Sequence, residues 1–105
     1  MANVVVYKRR TNTIIVNLGI NVSADTFVSE IREGKNSTTP LITTWSTSFL
    51  TNGVDGRLKL VLDNSITNTI TQTSGYMDLK RTSNGEPLSV FADAIKVVFK
   101  ETVTA

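Results

Sequence analysis

The stretch GRLKLVLDNSITNTITQTSGYMDL, Gly56–Leu79, changes texture twice, and its reading decides the fold. Its first part alternates, with Leu58, Leu60 and Leu62 on one side and Arg57, Lys59 and Asp63 on the other. A period of two marks a strand with one face in a core and the other in water. The segment Tyr76–Arg81 alternates again. Between them, residues 64–73 are rich in Thr and Asn, carry no charge, and admit two readings. As a strand, Thr67, Thr69, Thr71 and Thr73 line one face and leave Asn68, Ile70 and Gln72 as a poor core. As a short helix, Asn64 or Ser65 caps the start, Ile66 and Ile70 meet at i and i+4, and Gly75 stops it. The helical reading buries more, so one or two helical turns near residues 64–73 are expected to cross the end of a β-sandwich.

Upstream, Val4–Lys8 reads as a first strand and Thr13–Ile20 as a second, with Ile14, Val16 and Leu18 on one face. The polar break RRTN separates them. Phe27–Gly34 alternates, placing Phe27, Ser29 and Ile31 opposite Val28, Glu30 and Arg32. Leu41–Leu50, rich in β-branched and aromatic residues, reads as a long strand with room for a bulge. The turn dipeptides Asn52-Gly53 and Asp55-Gly56 then make a hairpin connection into the leucine strand. Downstream, Asn84-Gly85 marks a second hairpin. Leu88–Lys100 is expected to be the last strand, because Phe91, Asp93, Ile95, Val97 and Phe99 alternate. About seven short strands separated by turn signals predict an all-β, antiparallel sandwich formed by a single domain, 1–105.

With 105 residues, the chain has enough length for one core and too little for two. A net charge of +2 gives no argument for nucleic acid. The absence of Cys and His removes thiolate and imidazole metal ligands, a Cys nucleophile and the usual general base. The start, MANVVVYKRR, has its positive charges after a short apolar run, the reverse of a secretory signal, and no apolar run approaches membrane-spanning length. A protein that stays in the cytoplasm, or is assembled there into something larger, without a membrane or nucleic-acid partner, is the expectation.

The candidate sites are weak. Lys8, Arg9 and Arg10 form a basic cluster without interleaved aromatics and read as a solvated turn. Asp55, Asp63, Asp78 and Asp93 fall into no calcium-loop pattern and read as turn formers and outward strand residues. Asn21-Val22-Ser23 and Asn36-Ser37-Thr38 match a glycosylation acceptor and read as loop sequence. The TNTITQT alternation occurs once, too little for a repeated threonine face. Trp45 and Tyr76 read as packing residues, with sugar stacking as the functional alternative. No catalytic, cofactor-binding or metal-ligating set emerges, so the chain reads as non-enzymatic and free of cofactors, and a hydrolase would need two close carboxylates that the sequence does not announce.

The order of Gly56, the leucine strand, a Thr-bearing short helical segment, GYMDLKR, a hairpin turn and a last strand ending in VVFKETVT resembles the phage Ig-like sandwich family of baseplate upper protein N-terminal domains and related tail and fibre-attachment modules. The matching positions are Gly56, Leu58, Leu60, Leu62, Thr67, Ile70, Gly75, Tyr76, Asp78, Leu79, Val98 and Thr102. The likeness covers most of the second half and, more loosely, VYKRRTNTIIVNL near the start. It departs at Arg9 and Arg10, where the family often has Gly or Asp. The resemblance implies a structural protein of a bacteriophage virion in a tail, baseplate or fibre-adaptor role, with capsid decoration as a close variant. It implies other virion structural proteins as partners and a homo-oligomer or symmetric multi-copy assembly. A carbohydrate-binding sandwich using Trp45 or Tyr76 is the competing expectation.

Overall fold

The computed structural model describes residues 4–90 and 93–101. Phe91 of the last alternating run and Thr102 of the family pattern lie outside the described residues. The strands are β1 (Val4–Tyr7), β2 (Asn12–Asn17), β3 (Thr26–Arg32), β4 (Leu41–Phe49), β5 (Arg57–Leu62), β6 (Ser74–Met77), β7 (Lys80–Ser83), β8 (Glu86–Ser89) and β9 (Ile95–Lys100), with one helical turn, α1 (Asn64–Thr67), between β5 and β6. The fold is all-β, with 52% of the described residues in strands and 4% in helix.

The hydrogen-bonded path runs β1-β9-β6-β3-β4-β5-β2, a nearly closed, barrel-like sheet, with the β7–β8 hairpin attached to β3 through β7. Among the described residues nine strands replace the expected seven, because two predicted strands are each interrupted. The Tyr76–Arg81 run breaks at Asp78–Leu79, where the Asp78 carbonyl accepts a 2.6 Å bond from Ser29 Oγ and Leu79 turns into the core. The Leu88–Lys100 run breaks opposite it, and the Val90 N–H reaches the Leu79 carbonyl at 2.9 Å. The sheet is also not wholly antiparallel. β1 runs parallel to β9, pairing Val4 with Val97 and Val6 with Phe99. Parallel neighbours need a long connection, and here nearly the whole chain supplies it.

β4 joins the two parts of the sheet. Its first half pairs with β3, up to Trp45 opposite Ser29, and its second half pairs with β5, from Ser46 opposite Val61 to Phe49 opposite Leu58. The expected bulge lies where Ile31 pairs with Thr43 but Arg32 with Leu41, leaving Ile42 unmatched. Leu58, Leu60 and Leu62 are buried as their alternation requires, and they meet Val6, Ile31, Trp45, Met77, Leu79, Ile95, Val97 and Phe99 in one core. Each such side chain contributes roughly 1.5–3 kcal/mol on full burial. Ile14 and Val16 of β2, and Leu18 just beyond it, pack against that core.

The helical turn is shorter than expected and capped differently. Asp63, in extended conformation, occupies the N-cap position, and Ser65 Oγ donates to its carboxylate at 2.7 Å. The turn ends at Thr67, and Gly75 lies inside β6, packed so closely that a Cβ would meet the Arg32 carbonyl oxygen at 2.8 Å. Ile66 and Ile70 do anchor the crossover on the core. At the β7–β8 hairpin, Asn84 and Gly85 have φ of 52° and 78°, the two left-handed residues of a type I′ turn.

Candidate functional site

Strand register sets out the outward face of the sheet. Lys96 of β9, Tyr76 of β6, Arg32 of β3 and Leu41 of β4 stand in one row. Ser74, Val98 and Val5 form the row toward β1. The loop joining β3 to β4 folds over the first row and places Lys35 Nζ 5.3 Å from the centre of the half-buried Tyr76 ring. Arg32 is fixed by Glu30 at 3.2 Å and by the Thr39 carbonyl, which accepts from its Nη1 at 2.8 Å. Beneath this loop lies a small hollow of about 70 Å³, lined by Glu30, Arg32, Lys35, Asn36, Tyr76 and Asp78 among others. The loop is tied locally, because Asn36 Oδ1 accepts from both the N–H and the hydroxyl of Thr38 at 3.0 Å.

A second hollow, of about 280 Å³, opens where β3 leaves β4 to pair with β7. Phe27, Phe49 and Leu58 form its floor, and the two rings meet edge to face at 6.4 Å. Asp25, Thr26, Thr47 and Ser48 complete the lining, with Asp25 held by Arg81 at 2.6 Å. Thr47 Oγ1 donates to the Phe27 carbonyl at 3.1 Å, so a side chain supplies one bond where the strands diverge.

The ends of the sheet, β1 and β2, are joined by the turn Lys8–Thr11, and Asn12 stitches them. The Tyr7 N–H donates to Asn12 Oδ1, and Asn12 Nδ2 donates to the Tyr7 and Arg10 carbonyls, each at 2.9 Å. One amide thus replaces a missing stretch of strand ladder. Thr67 Oγ1, buried, donates to the Arg10 carbonyl at 2.7 Å and fastens the same turn to α1. Outside these bonds, Val5, Tyr7 and Ile15 are 38%, 47% and 47% exposed, so both end strands present apolar side chains to solvent.

The basic cluster is not simply a solvated turn. Lys8 is buried and reaches Glu101 at 3.2 Å, while exposed Arg9, at a left-handed φ of 63°, reaches the other oxygen of Glu101 at 3.0 Å. The pair closes the end of β9 over the turn.

The four aspartates stay apart. Asp55 lies in the β4–β5 loop, Asp63 at the start of α1, Asp78 between β6 and β7, and Asp93 before β9. The N–H of Arg57 foremost, with its guanidinium, lowers the carboxyl pKa of Asp55. The Ser65 hydroxyl, then the Asn64 N–H and the Thr11 hydroxyl, lower that of Asp63. Among the described residues, no group of three or more carboxylates comes together as a metal site. Asn21 and Asn36 each accept from the residue two positions on, so both glycosylation-like triplets are Asx turns. The threonines of TNTITQT do not share a face, since Thr67 is buried in α1 and Thr69 is exposed beyond it.

Trp45 is 2% exposed and offers no ring to a ligand, and its Nε1 is buried without a hydrogen-bond partner among the described residues. Phe27 and Phe49 line the second hollow, and Tyr76 lines the one under the β3–β4 loop. The cations beside it, Arg32 and Lys35, carried no signal in the sequence, because a strand register and a folded loop bring them there. Asn12 and Glu101 were missed for the same reason. Among the described residues no helix is long and apolar enough to cross a membrane. No family model matches the chain, and no curated protein matches it in sequence.

Proposed function

We propose that this chain is a non-enzymatic assembly module of a bacteriophage particle, in a tail, baseplate or fibre-adaptor position, built as an Ig-like sandwich. The strand order supports the Ig-like reading: β2, β5 and the end of β4 form one layer, and β3, β6 and β9 the other, with β1 beside β9 and a short helical crossover between β5 and β6. Of the positions on which the resemblance to the phage family rests, those from Gly56 to Leu79 fall on the strand, the crossover and the returning strand, and Val98 falls on β9.

The observation that carries the assembly role is the outward apolar dressing of the two end strands, Val5 and Tyr7 on β1 and Ile15 on β2. Edge strands receive a neighbour's strand or terminus through unpaired backbone groups, and proteins guard against this with charge or proline. Here Val5 and Tyr7 are the exposed positions of β1, and Ile15 lies between exposed Thr13 and Asn17 on β2. Weak contacts of this kind become strong when many copies sit in a ring. Capsid decoration would use the same surface and is a variant of this reading.

Sedimentation velocity over a range of concentrations tests it. Reversible self-association is expected, and the double change Val5→Lys with Tyr7→Lys is expected to suppress it while leaving the far-ultraviolet circular dichroism unchanged. A chain that stays monomeric at every concentration and captures no other particle protein contradicts the role.

A further inference from the structure

We propose that the hollow under the β3–β4 loop is a subsite for one neutral saccharide unit, with Tyr76 as the ring platform and Glu30 and Asp78 as hydroxyl acceptors. The inference rests on this hollow alone and stands apart from the assembly role.

Three features point to a neutral, hydroxyl-rich ligand. First, the lining balances its charges, with Arg32 and Lys35 against Glu30 and Asp78, so a ligand with net charge of either sign meets repulsion as well as attraction. Second, with Arg32 committed to Glu30 Oε1 and the Thr39 carbonyl, Lys35 supplies a strong donor and Glu30 and Asp78 supply strong acceptors, which suits hydroxyl groups that both donate and accept. Third, the Lys35 ammonium sits 5.3 Å from the centre of the Tyr76 ring, over the face a sugar needs, so a saccharide unit stacks there by displacing that flexible side chain.

The frame is built rather than loose. Arg32 is held at both ends of its guanidinium by Glu30 and the Thr39 carbonyl, and the Asn36 turn fixes the loop above it. Asp78 is exposed at the rim, and its carbonyl is pinned by Ser29. The size sets the scale of the ligand. About 70 Å³ exceeds the roughly 10–15 Å³ that one water needs, yet falls well below the space of a drug-sized pocket. It takes part of one pyranose, set face-on to Tyr76, and leaves the rest in solvent. A single site of this kind binds weakly, with a dissociation constant on the order of 1 mM or above, and gains strength from repetition.

Amide-resolved nuclear magnetic resonance titration of the full chain tests the site. The probes are D-glucose, D-galactose and N-acetyl-D-glucosamine, with D-glucuronate and D-glucosamine as the charged counterparts. Shifts confined to the amides around Lys35, Asn36, Ser37, Tyr76 and Asp78 are expected with at least one neutral sugar. Asp78→Asn, at an exposed position, should keep the fold and weaken binding roughly tenfold. Tyr76→Val, which retains a strand-forming residue, should abolish it. No localised shift with any neutral sugar up to roughly 100 mM, tighter binding of a charged counterpart, or unchanged binding in Asp78→Asn would overturn the proposal.

Discussion

Gly56 and Gly85 share a left-handed backbone, with φ of 76° and 78°, but not their surroundings. A Cβ on Gly56 would lie 2.4 Å from the Ile20 carbonyl oxygen, because the β4–β5 loop is laid directly on the β2–β3 loop through the bonds Leu18 N–H to Gly56 O and Val22 N–H to Gly53 O. A Cβ on Gly85 would meet nothing within 4 Å. Gly85→Ala is therefore expected to cost about 1–2 kcal/mol, the penalty of the left-handed conformation alone. Gly56→Ala adds a backbone collision that only loop displacement relieves, and it should cost more than Gly85→Ala by at least about 2 kcal/mol. Urea unfolding of the two variants checks the difference. The Asn-Gly turn at Gly85 was legible because its dipeptide names the turn type. The packing of Gly56 on Ile20 was not, since it joins loops distant in sequence. A related limit applies to Trp45, whose residue type was compatible with stacking or core and whose neighbours alone place it in the core.

At the scale of elements, the strands with a clean alternation were read correctly from sequence, β5 above all. The misses arose where a strand leaves its ladder for a tertiary reason, as at Asp78–Leu79, or where an end strand pairs with a partner at the far end of the chain, as β1 does with β9. The helical turn was located by its Ile66 and Ile70 anchors, but its length was overestimated, because Thr67 spends its hydroxyl on the Arg10 carbonyl and fixes the turn there. The candidate site was legible only in part: Tyr76 and Asp78 were named, whereas Arg32 joins them through register and Lys35 through the folded β3–β4 loop. Two predictions belong to this scale. Asn12→Ala removes the bonds that hold the Tyr7 backbone, and hydrogen exchange of the Val6 and Lys8 amides is expected to accelerate while that of β5 does not change. Asp63 anchors the start of α1, and its lowered pKa means that the folded state binds its proton less readily than the unfolded chain does. That contribution is full above the ordinary value of 3.8 and is lost as pH falls through the lowered one. Asp63→Asn should flatten the acid limb of the stability curve in that window, and thermal melts between roughly pH 2 and 6 measure it.

For the whole molecule, the sheet closes almost completely, yet its two end strands meet through the side chain of Asn12 rather than through a ladder. This arrangement leaves a stable core beneath an edge dressed with Val5, Tyr7 and Ile15. The same geometry leaves the hollow beside Tyr76 on the outward sheet face, where a multi-copy assembly would present it many times. The central claim is membership of a virus particle. Quantitative mass spectrometry of density-purified phage particles, taken from a lysate that contains this chain, tests the proposed role most directly. The chain is expected to co-purify with the particles in a fixed ratio to the major structural proteins. Its absence from intact particles while it accumulates free in the lysate would contradict the account.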